Sequence, residues 1–234
     1  FKAWDRITAG WQQLGLDIDG EAVADNSGTC VSLSANGQTV AIGARYNDGN
    51  GVDSGHVRIY SLTNSVWSQL GADIDGEASS DWSGHSVSLA ADGQTVAIGA
   101  RYNDGNGSKA GHVRIYSWTG SVWSQLGADI DGEANDDWSG HTVSLSADGQ
   151  TVAIGAPQND GNGPDSGHVR IYSWTGSTWS KLGEDIDGER FGDQSGHYVS
   201  LSADGQTVAI GAIYNDGDSI ESSGEVRIYS WTGS

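Results

Sequence analysis

The residues best suited to chemistry in this sequence are carboxylates that recur at a fixed spacing. Asp17, Asp19, Glu21 and Asp25 stand within nine residues, and the same arrangement returns three more times. Calcium binds six to eight oxygen ligands, and the glycine after the second Asp allows such a segment to curl. We call the four segments, residues 17–25, 73–81, 129–137 and 185–193, the links. They predict calcium sites with these ligands: Asp17, Asp19, Glu21, Asp25, Asp73, Asp75, Glu77, Asp81, Asp129, Asp131, Glu133, Asp137, Asp185, Asp187, Glu189 and Asp193.

The links also have a purely structural interpretation. Asp and Gly are common turn residues, and charge keeps a surface soluble. The spacing also lacks the terminal bidentate Glu of a complete calcium loop. A second set of acids, which serve either as further metal ligands or as turn residues, lies in Asn-Asp-Gly turns: Asp48, Asp104, Asp160 and Asp216.

Two tryptophans and one asparagine are further candidates. Trp82 and Trp138 directly follow two of the links, where Asn26 and Gln194 stand in the other repeats. An aromatic ring beside carboxylates suits stacking on a sugar, and packing between repeats is the alternative. Asn106 begins an Asn-Gly-Ser glycosylation sequon in a turn.

The histidines and the cysteine carry weaker signals. Six histidines occupy two repeated positions: 56, 112 and 168, and 85, 141 and 197. Zinc binding is one interpretation, but Thr29 and Glu225 replace His in the other units, which favours packing or hydrogen bonding. The single Cys30 excludes an internal disulfide, and we expect a small buried side chain there rather than a nucleophile.

These residues recur because the whole sequence repeats. Trp11, Trp67, Trp123 and Trp179 open four units of 56 residues: 11–66, 67–122, 123–178 and 179–234. The second and third units share 46 of 56 residues, and the count predicts a register without insertions. Residues 1–10 read as the remnant of a preceding unit, and the start at Phe1 without any Met suggests a processed product or an excerpt. The chain is thus predicted to be a single repeat domain, residues 1–234.

Each unit reads as four short antiparallel strands. In the second unit, Ser86-Val87-Ser88-Leu89 alternates polar and apolar residues, as a half-buried strand does. Glycine-rich turns separate it from two further β-branched segments and from a strand at Trp123. The fold class is therefore all-β, a β-propeller-like array of four-stranded blades that forms a four-bladed ring or part of a larger propeller. A β-solenoid is the alternative, but its repeats are usually shorter.

The motif order resembles the FG-GAP repeat of integrin-alpha-type propellers. The resemblance rests on Ser83-Gly84-His85 with the following strand, on Asp92-Gly93, and on Val96-Ala97-Ile98-Gly99-Ala100, and it covers all four units. It implies a propeller that is extracellular, often adhesive and often calcium-binding. Calcium-binding members carry an Asp-rich loop between the first two strands, whereas the loop at Asp92 has one carboxylate, so that calcium site does not transfer.

The charge is concentrated at one end of the predicted blades. The formal net charge is −20, and 26 of the 31 acidic residues fall on the end with the links. With Arg45, Arg101, Lys109 and Arg190 counted there, that end carries −22. Such crowding costs free energy unless cations balance it. The charge argues against nucleic acid and anionic membranes as partners, and no apolar run approaches the roughly 20 residues of a membrane span.

These observations favour a binding or structural role over catalysis. An enzyme is not expected, because polar residues recur in every unit instead of converging once. The first hypothesis is an extracellular or cell-surface propeller for adhesion or recognition, which meets a protein or glycan through divalent cations on the acidic end. The alternatives are a structural module of a surface layer or filament, whose partners are neighbouring copies, and a propeller lectin with one sugar site per blade.

Overall fold

The computed structural model describes residues 10–217 and 222–233, which form four antiparallel sheets and, within those ranges, no helix. Sheet 1 contains β1 (Cys30–Leu33), β2 (Thr39–Ala44), β3 (His56–Thr63), β4 (Val66–Gln69) and β5 (Ile74–Asp75). Sheet 2 contains β6 (Ser83–Leu89), β7 (Thr95–Ala100), β8 (His112–Trp118), β9 (Trp123–Gln125) and β10 (Ile130–Asp131). Sheet 3 contains β11 (Thr142–Leu145), β12 (Thr151–Ala156), β13 (His168–Trp174), β14 (Trp179–Lys181) and β15 (Ile186–Asp187). Sheet 4 contains β16 (Ser195–Leu201), β17 (Thr207–Ala212) and β18 (Glu225–Ser230).

Each sheet is one blade, as the repeat predicts. Consecutive strands pair through tight turns, because glycines supply the left-handed backbone that the turns need, as at Gly93 with φ of 73°. The fourth strand is divided into two pieces that both pair with the third strand. In sheet 1, β4 pairs with the end of β3, and β5 pairs His56 with Asp75 and Val57 with Ile74. The link after each of the first three blades therefore begins as a strand on the blade's outer edge.

The register repeats in three blades and differs in the fourth. Ala44 pairs with His56, and Ala100 pairs with His112, so the partner lies twelve positions later in the sequence in both cases. In sheet 4, Ala212 pairs with Glu225, thirteen residues along. The prediction of a register without insertions is therefore wrong in the fourth unit, whose turn holds one extra residue. The predicted remnant, residues 1–10, lies outside the described residues except for Gly10.

The hydrophobic core lies between the sheets. Val113 and Ile115 of β8 pack against Leu145 of β11 and its neighbours, and all three side chains are buried. The backbones approach most closely at paired glycines. A Cβ added to Gly99 would stand 2.0 Å from the carbonyl oxygen of Gly140 in the next sheet. The small residues on the second strand are therefore what allow neighbouring blades to pack.

The four blades form an open arc. Val226 and Ile228, on the free face of sheet 4, are 68% and 70% exposed, although Val113 and Ile115 are buried at the same places in sheet 2. At the other end, Val31 and Leu33 of sheet 1 are 62% and 58% exposed. The described residues therefore do not close a four-bladed ring. Among the described residues no helix is long and apolar enough to cross a membrane.

Candidate functional site

Three clusters of one glutamate, one histidine and one aspartate lie at successive blade edges. In each, the Glu comes from one link, the His begins the third strand of the blade, and the Asp opens the next link. We call them the junction clusters: Glu21–His56–Asp73, Glu77–His112–Asp129 and Glu133–His168–Asp185. One nitrogen or oxygen of each residue lies within 4.8 Å of the other two, so each cluster could hold a metal ion.

Strand pairing builds each cluster. Asp131 of β10 pairs with His112 of β8, which brings the start of the link, and with it Asp129, to the edge of the blade. Because side chains alternate along a strand, His112 and Arg114 share one face and Val113 enters the core on the other. His112 Nδ1 then lies 3.9 Å from Glu77 Oε2 and 3.8 Å from Asp129 Oδ2.

The imidazoles of the clusters are neutral at pH 7. Burial, with a further contribution from Arg114, lowers the pKa of His112 to about 4, although Asp129 opposes the shift. Burial and Arg170 do the same for His168, also to about 4. Burial raises the pKa of Glu77, and the Arg114 guanidinium opposes that shift. The contacts between His112 and the two carboxylates are therefore neither ion pairs nor, at 3.8–3.9 Å, hydrogen bonds.

An arginine on the third strand of the following blade binds each link. Arg114 Nη2 donates to the carbonyl oxygen of Asp75 at 2.6 Å, and its Nη1 lies 3.6 Å from Glu77 Oε1. Arg58, Arg170 and Arg227 make the same contacts in the other blades. The predicted charge of −22 for the acidic end did not include these four arginines. Since they reach the links, the net charge of the acidic end is less negative than the predicted value, by four positive charges.

The surroundings of the third cluster differ from those of the first two, because Lys181 replaces a glutamine and Glu184 replaces an alanine. The aspartate oxygen within 4.0 Å of His168 Nδ1 also belongs to Asp187 rather than to Asp185. Lys181 Nζ lies 2.8 Å from Asp185 Oδ1, and this contact raises the pKa of the lysine. At the equivalent place, the amides of Gln69 and Gln125 donate to Asp73 and Asp129. The third cluster therefore already has a cation beside its aspartate.

The last aspartate of each link stabilises the loop instead of joining a cluster. Asp81 is buried, and its Oδ2 accepts hydrogen bonds from the backbone N–H of Ala78 at 3.0 Å and from Asn103 Nδ2 at 2.9 Å. Asp25, Asp137 and Asp193 accept the equivalent bonds. Asp75, the second aspartate of the same link, is exposed. The four acids of one link thus occupy different surroundings. Among the described residues, each junction cluster contains acids from two successive links instead.

The acids of the Asn-Asp-Gly turns bind backbone. Asp104 is exposed, and its Oδ1 accepts a hydrogen bond from the N–H of Lys109 at 2.7 Å. Asp48, Asp160 and Asp216 accept similar bonds from residues five or six positions later. These hydrogen bonds to the backbone are those of aspartates that stabilise turns, which is one of the two interpretations that the sequence allowed.

The two candidate tryptophans lie between blades. The guanidinium carbons of Arg45 and Arg101 are 5.1 and 4.9 Å from the ring of Trp82, and the Tyr102 ring centroid is 4.4 Å away. Arg101 also lies 4.9 Å from the ring of Trp138. Both tryptophans are half-buried. These contacts explain their packing, the alternative that the sequence left open.

The second set of histidines belongs to the same packed column. Arg101 Nη1 lies 3.1 Å from His141 Nδ1, and Arg45 Nη1 lies 3.3 Å from His85 Nδ1. Burial lowers the pKa of His85 to about 2 and that of His141 to about 3. A neutral imidazole accepts these bonds, as the structural interpretation of the sequence expects.

The sequon and the cysteine make structural contacts. Asn106 Nδ2 donates to the carbonyl oxygen of Gly132 at 2.8 Å, so the amide of the sequon helps to hold a link. Cys30 is half-buried, its Sγ lies 3.3 Å from the backbone nitrogen of Val87, and burial raises the pKa of its thiol.

A cavity of about 610 Å³ lies on the free face of sheet 4, where Tyr198 and Val226 line it.

The junction clusters were not predicted as sites. The sequence placed the Glu and the Asp of each cluster in two successive calcium loops and assigned His56, His112 and His168 to packing or hydrogen bonding. A usable signal was nevertheless present, because each of these three histidines is followed two residues later by Arg, and its spacing to the Glu and the Asp is constant. This signal becomes informative only when the rotation between blades is known.

Comparisons with known proteins agree with the architecture. A family model described as the FG-GAP repeat matches residues 72–116 and 126–172. No curated protein matches the chain. The hydrazine synthase of Kuenenia stuttgartiensis is similar in structure, with a TM-score of 0.56 and 13% identity over 92% of this chain and 49% of that one. The periplasmic gluconolactonase PpgL of Pseudomonas aeruginosa gives a TM-score of 0.52 and 15% identity over 88% of this chain and 54% of that one.

Both solved structures are β-propeller proteins, and this chain spans about half of the length of each. At such identities the similarity concerns the fold alone. The resemblance read from the sequence is confirmed by the family model in the second and third units. These matches identify residues 72–116 and 126–172 as FG-GAP repeats within a β-propeller fold.

Proposed function

We propose that this chain is a non-enzymatic propeller segment that serves adhesion or recognition outside the cell or at the cell surface. The observation that carries the proposal is the recurrence of the polar residues. Each junction cluster recurs with its arginine at three blade edges. An active site needs different groups that converge once, whereas a repeated surface suits a partner that is contacted at several equivalent places.

A binding assay tests this role. The chain is immobilised on beads and exposed to a panel of extracellular-matrix proteins and to a glycan array, with and without EDTA. We expect binding to a member of the protein panel that EDTA reduces. Binding that is restricted to glycans and is lost in Trp82→Ala would support the lectin alternative instead. Lactone hydrolysis, measured with gluconolactone in the same preparation, is expected to remain at the uncatalysed rate.

Calcium at the exposed link carboxylates belongs to the same proposal. Asp75 and its equivalents are exposed and close to further acids, so a divalent cation would reduce like-charge repulsion there. Millimolar calcium should then raise the thermal midpoint, since a ligand that binds only the folded state stabilises it. An unchanged midpoint would refute the calcium component.

A structural repeat module is the second candidate, and the open ends of the arc favour it. A Cβ at Gly43 would stand 2.1 Å from Gly84 in the next blade, and Gly99 and Gly155 meet Gly140 and Gly196 in the same way. By contrast, among the residues that the structure describes, a Cβ on Gly28 at one end would have no atom within 4 Å, and a Cβ on Gly211 at the other end would be 3.8 Å from its nearest atoms. The two ends are therefore the two halves of one further junction.

We infer that a blade of the same repeat covers each end. Electron microscopy and light scattering of the chain distinguish the arrangements. Closed rings or filaments that form as the concentration rises are expected for head-to-tail assembly of copies. A monodisperse monomer at 100 μM would contradict assembly by separate copies.

A further inference from the structure

We propose that the junction clusters of His56 and His112 each bind one divalent transition metal ion, for which zinc is the natural probe, and that Lys181 keeps the third cluster unoccupied. The clusters are distinct from the exposed calcium candidates because a nitrogen ligand is at their centre. The inference deepens the cation component of the proposed function. It concerns binding of the metal alone, so it can fail while adhesion or assembly succeeds.

The geometry of the first two clusters suits a small ion. His112 Nδ1 lies 3.9 and 3.8 Å from the two carboxylate oxygens, and His56 Nδ1 lies 3.9 Å from each of its two. Ligands of a tetrahedral zinc ion, at about 2.0–2.2 Å from the metal, lie roughly 3.3–3.5 Å apart. Shortening the distances from the histidine to the carboxylates requires a shift of about half an ångström, and the two carboxylate oxygens, which lie within 4.8 Å of each other, must also approach. The flexible side chain of Glu77, itself 45% exposed, can supply these shifts.

A buried histidine without a hydrogen-bond partner is the independent observation. His112 is 1% exposed, its Nε2 has no partner among the described residues, and its Nδ1 points at two carboxylates from beyond hydrogen-bond distance. His168 Nε2 is also without a partner there, and a metal ion at Nδ1 would leave Nε2 unpaired in either residue, so the atom that concerns the metal is Nδ1. Nδ1 of His56, like that of His112, lies 3.8–3.9 Å from two carboxylates, beyond hydrogen-bond distance. Buried polar atoms are nearly always paired. In the Nε2–H tautomer, the lone pair of Nδ1 faces the two carboxylates, and a cation between them would replace repulsion with three bonds.

The ligand atoms of the clusters, one imidazole nitrogen and two carboxylate oxygens, favour a transition metal over calcium. Calcium binds oxygen ligands, whereas imidazole is a ligand for zinc and other transition metals. The two carboxylates of a cluster balance the charge of a divalent ion. Arg114 lies beside Glu77 Oε1 and leaves Oε2, the oxygen nearer to the histidine, free for the metal.

Lys181 provides an internal control within the chain. Its ammonium group is 2.8 Å from the carboxylate of Asp185, where the first two clusters have neutral glutamine amides. A metal ion in the third cluster would meet this positive charge. The side chain of Lys181 is 38% exposed, so Lys181→Gln should leave the fold intact and place a neutral amide beside Asp185, as Gln125 does beside Asp129. Glu184, which stands where the second repeat has Ala128, adds a negative charge and does not oppose a cation.

Equilibrium dialysis and calorimetry with zinc, in buffer that contains 10 mM calcium, test the proposal. We expect two zinc ions per wild-type chain, three for Lys181→Gln, one for His112→Gln, and none for His56→Gln/His112→Gln. Circular dichroism verifies that each variant is folded. The Lys181→Gln variant keeps the test decisive if a histidine variant fails to fold, because its expected result is a gain.

Cobalt provides a second readout for the same sites. Cobalt substituted for zinc should give the visible absorption of a nitrogen-and-oxygen site, and that signal should grow by half in Lys181→Gln. A stoichiometry that is unchanged in Lys181→Gln, zinc binding that survives in the folded double variant, or displacement of zinc by calcium would overturn the proposal.

Discussion

The contact between blades at paired glycines gives the sharpest test of the architecture. Gly99 of β7 faces Gly140, and Gly211 of β17 is the same residue of the repeat on the free face of sheet 4. An added Cβ would stand 2.0 Å from the carbonyl oxygen of Gly140 in the first case and at least 3.8 Å from any atom in the second. The same substitution, glycine to alanine, therefore probes a closed junction and an open one.

The expected cost follows from these distances. A carbon–oxygen contact needs about 3.4 Å, so Gly99→Ala must separate two backbones by more than an ångström. Overpacking typically costs about 1–3 kcal/mol, and the upper end applies because neither backbone can rotate away. For a domain of this size, about 3 kcal/mol corresponds to a fall of roughly 6–12 °C in thermal midpoint. Gly211→Ala meets ordinary contacts only and should change stability by less than about 1 kcal/mol.

Thermal and urea unfolding of both variants, followed by circular dichroism at low protein concentration, measures the difference. Equal destabilisation by the two substitutions would refute the open arc, because it would mean that the face at Gly211 is covered as the face at Gly99 is. Equal tolerance would refute the claim that the glycine pair sets the distance between blades. Repeating the measurement at high concentration asks whether Gly211→Ala also prevents assembly.

Three further measurements test the polar network. The pKa of His112 and His168 in the folded state, about 4, lies below the unfolded value of about 6.5, so the stability that their neutral form contributes above pH 6.5 is lost toward pH 4. The loss at pH 5 is on the order of 2 kcal/mol per histidine. A urea midpoint that does not fall between pH 7.5 and pH 5 would contradict the neutral imidazoles. Asp81→Ala leaves the buried amide of Asn103 and the part-buried N–H of Ala78 unpaired and should cost about 2–3 kcal/mol, whereas Asp75→Ala, at an exposed side chain, should cost less than about 0.5 kcal/mol. Trp123→Phe removes the 2.7 Å hydrogen bond to the Leu70 carbonyl oxygen and should lower the unfolding free energy by about 1 kcal/mol.

The strands could be predicted because their signals are local. Alternation of polar and apolar residues in Ser86-Val87-Ser88-Leu89 and the glycine turn at Gly93 both concern a few neighbouring residues, and the structure has a strand and a turn at those places. Repetition strengthened these signals, since an accidental pattern would not return every 56 residues. The same repetition concealed the extra residue in the last turn, because the total length still equals four whole units after residue 10.

The site could not be predicted in the same way, because it depends on how blades rotate relative to one another. Asp73 and Glu77 are four residues apart, and the sequence assigned them to one metal loop. The strand Ile74–Asp75 lies between them and pairs with the edge of sheet 1. This pairing directs Asp73 toward His56, whereas Glu77 continues to His112 in the next blade. Residues close in sequence are thus divided between two clusters by a strand of two residues.

The near-identity of the repeats has a physical consequence for the ends of the arc. Val113 and Ile115 on one face of sheet 2 pack against sheet 3, whereas Val226 and Ile228, the same side chains on sheet 4, are exposed among the described residues. A protein with unlike blades could give its terminal faces polar side chains, as capped repeat proteins do. Here the terminal faces have the composition of the buried ones, and exposed apolar surface of this kind marks an interaction site. Because the two faces are the complementary halves of a junction that occurs three times in the arc, the surface best matched to each end is another blade of the same repeat, and the angle between blades then sets how many copies close a ring.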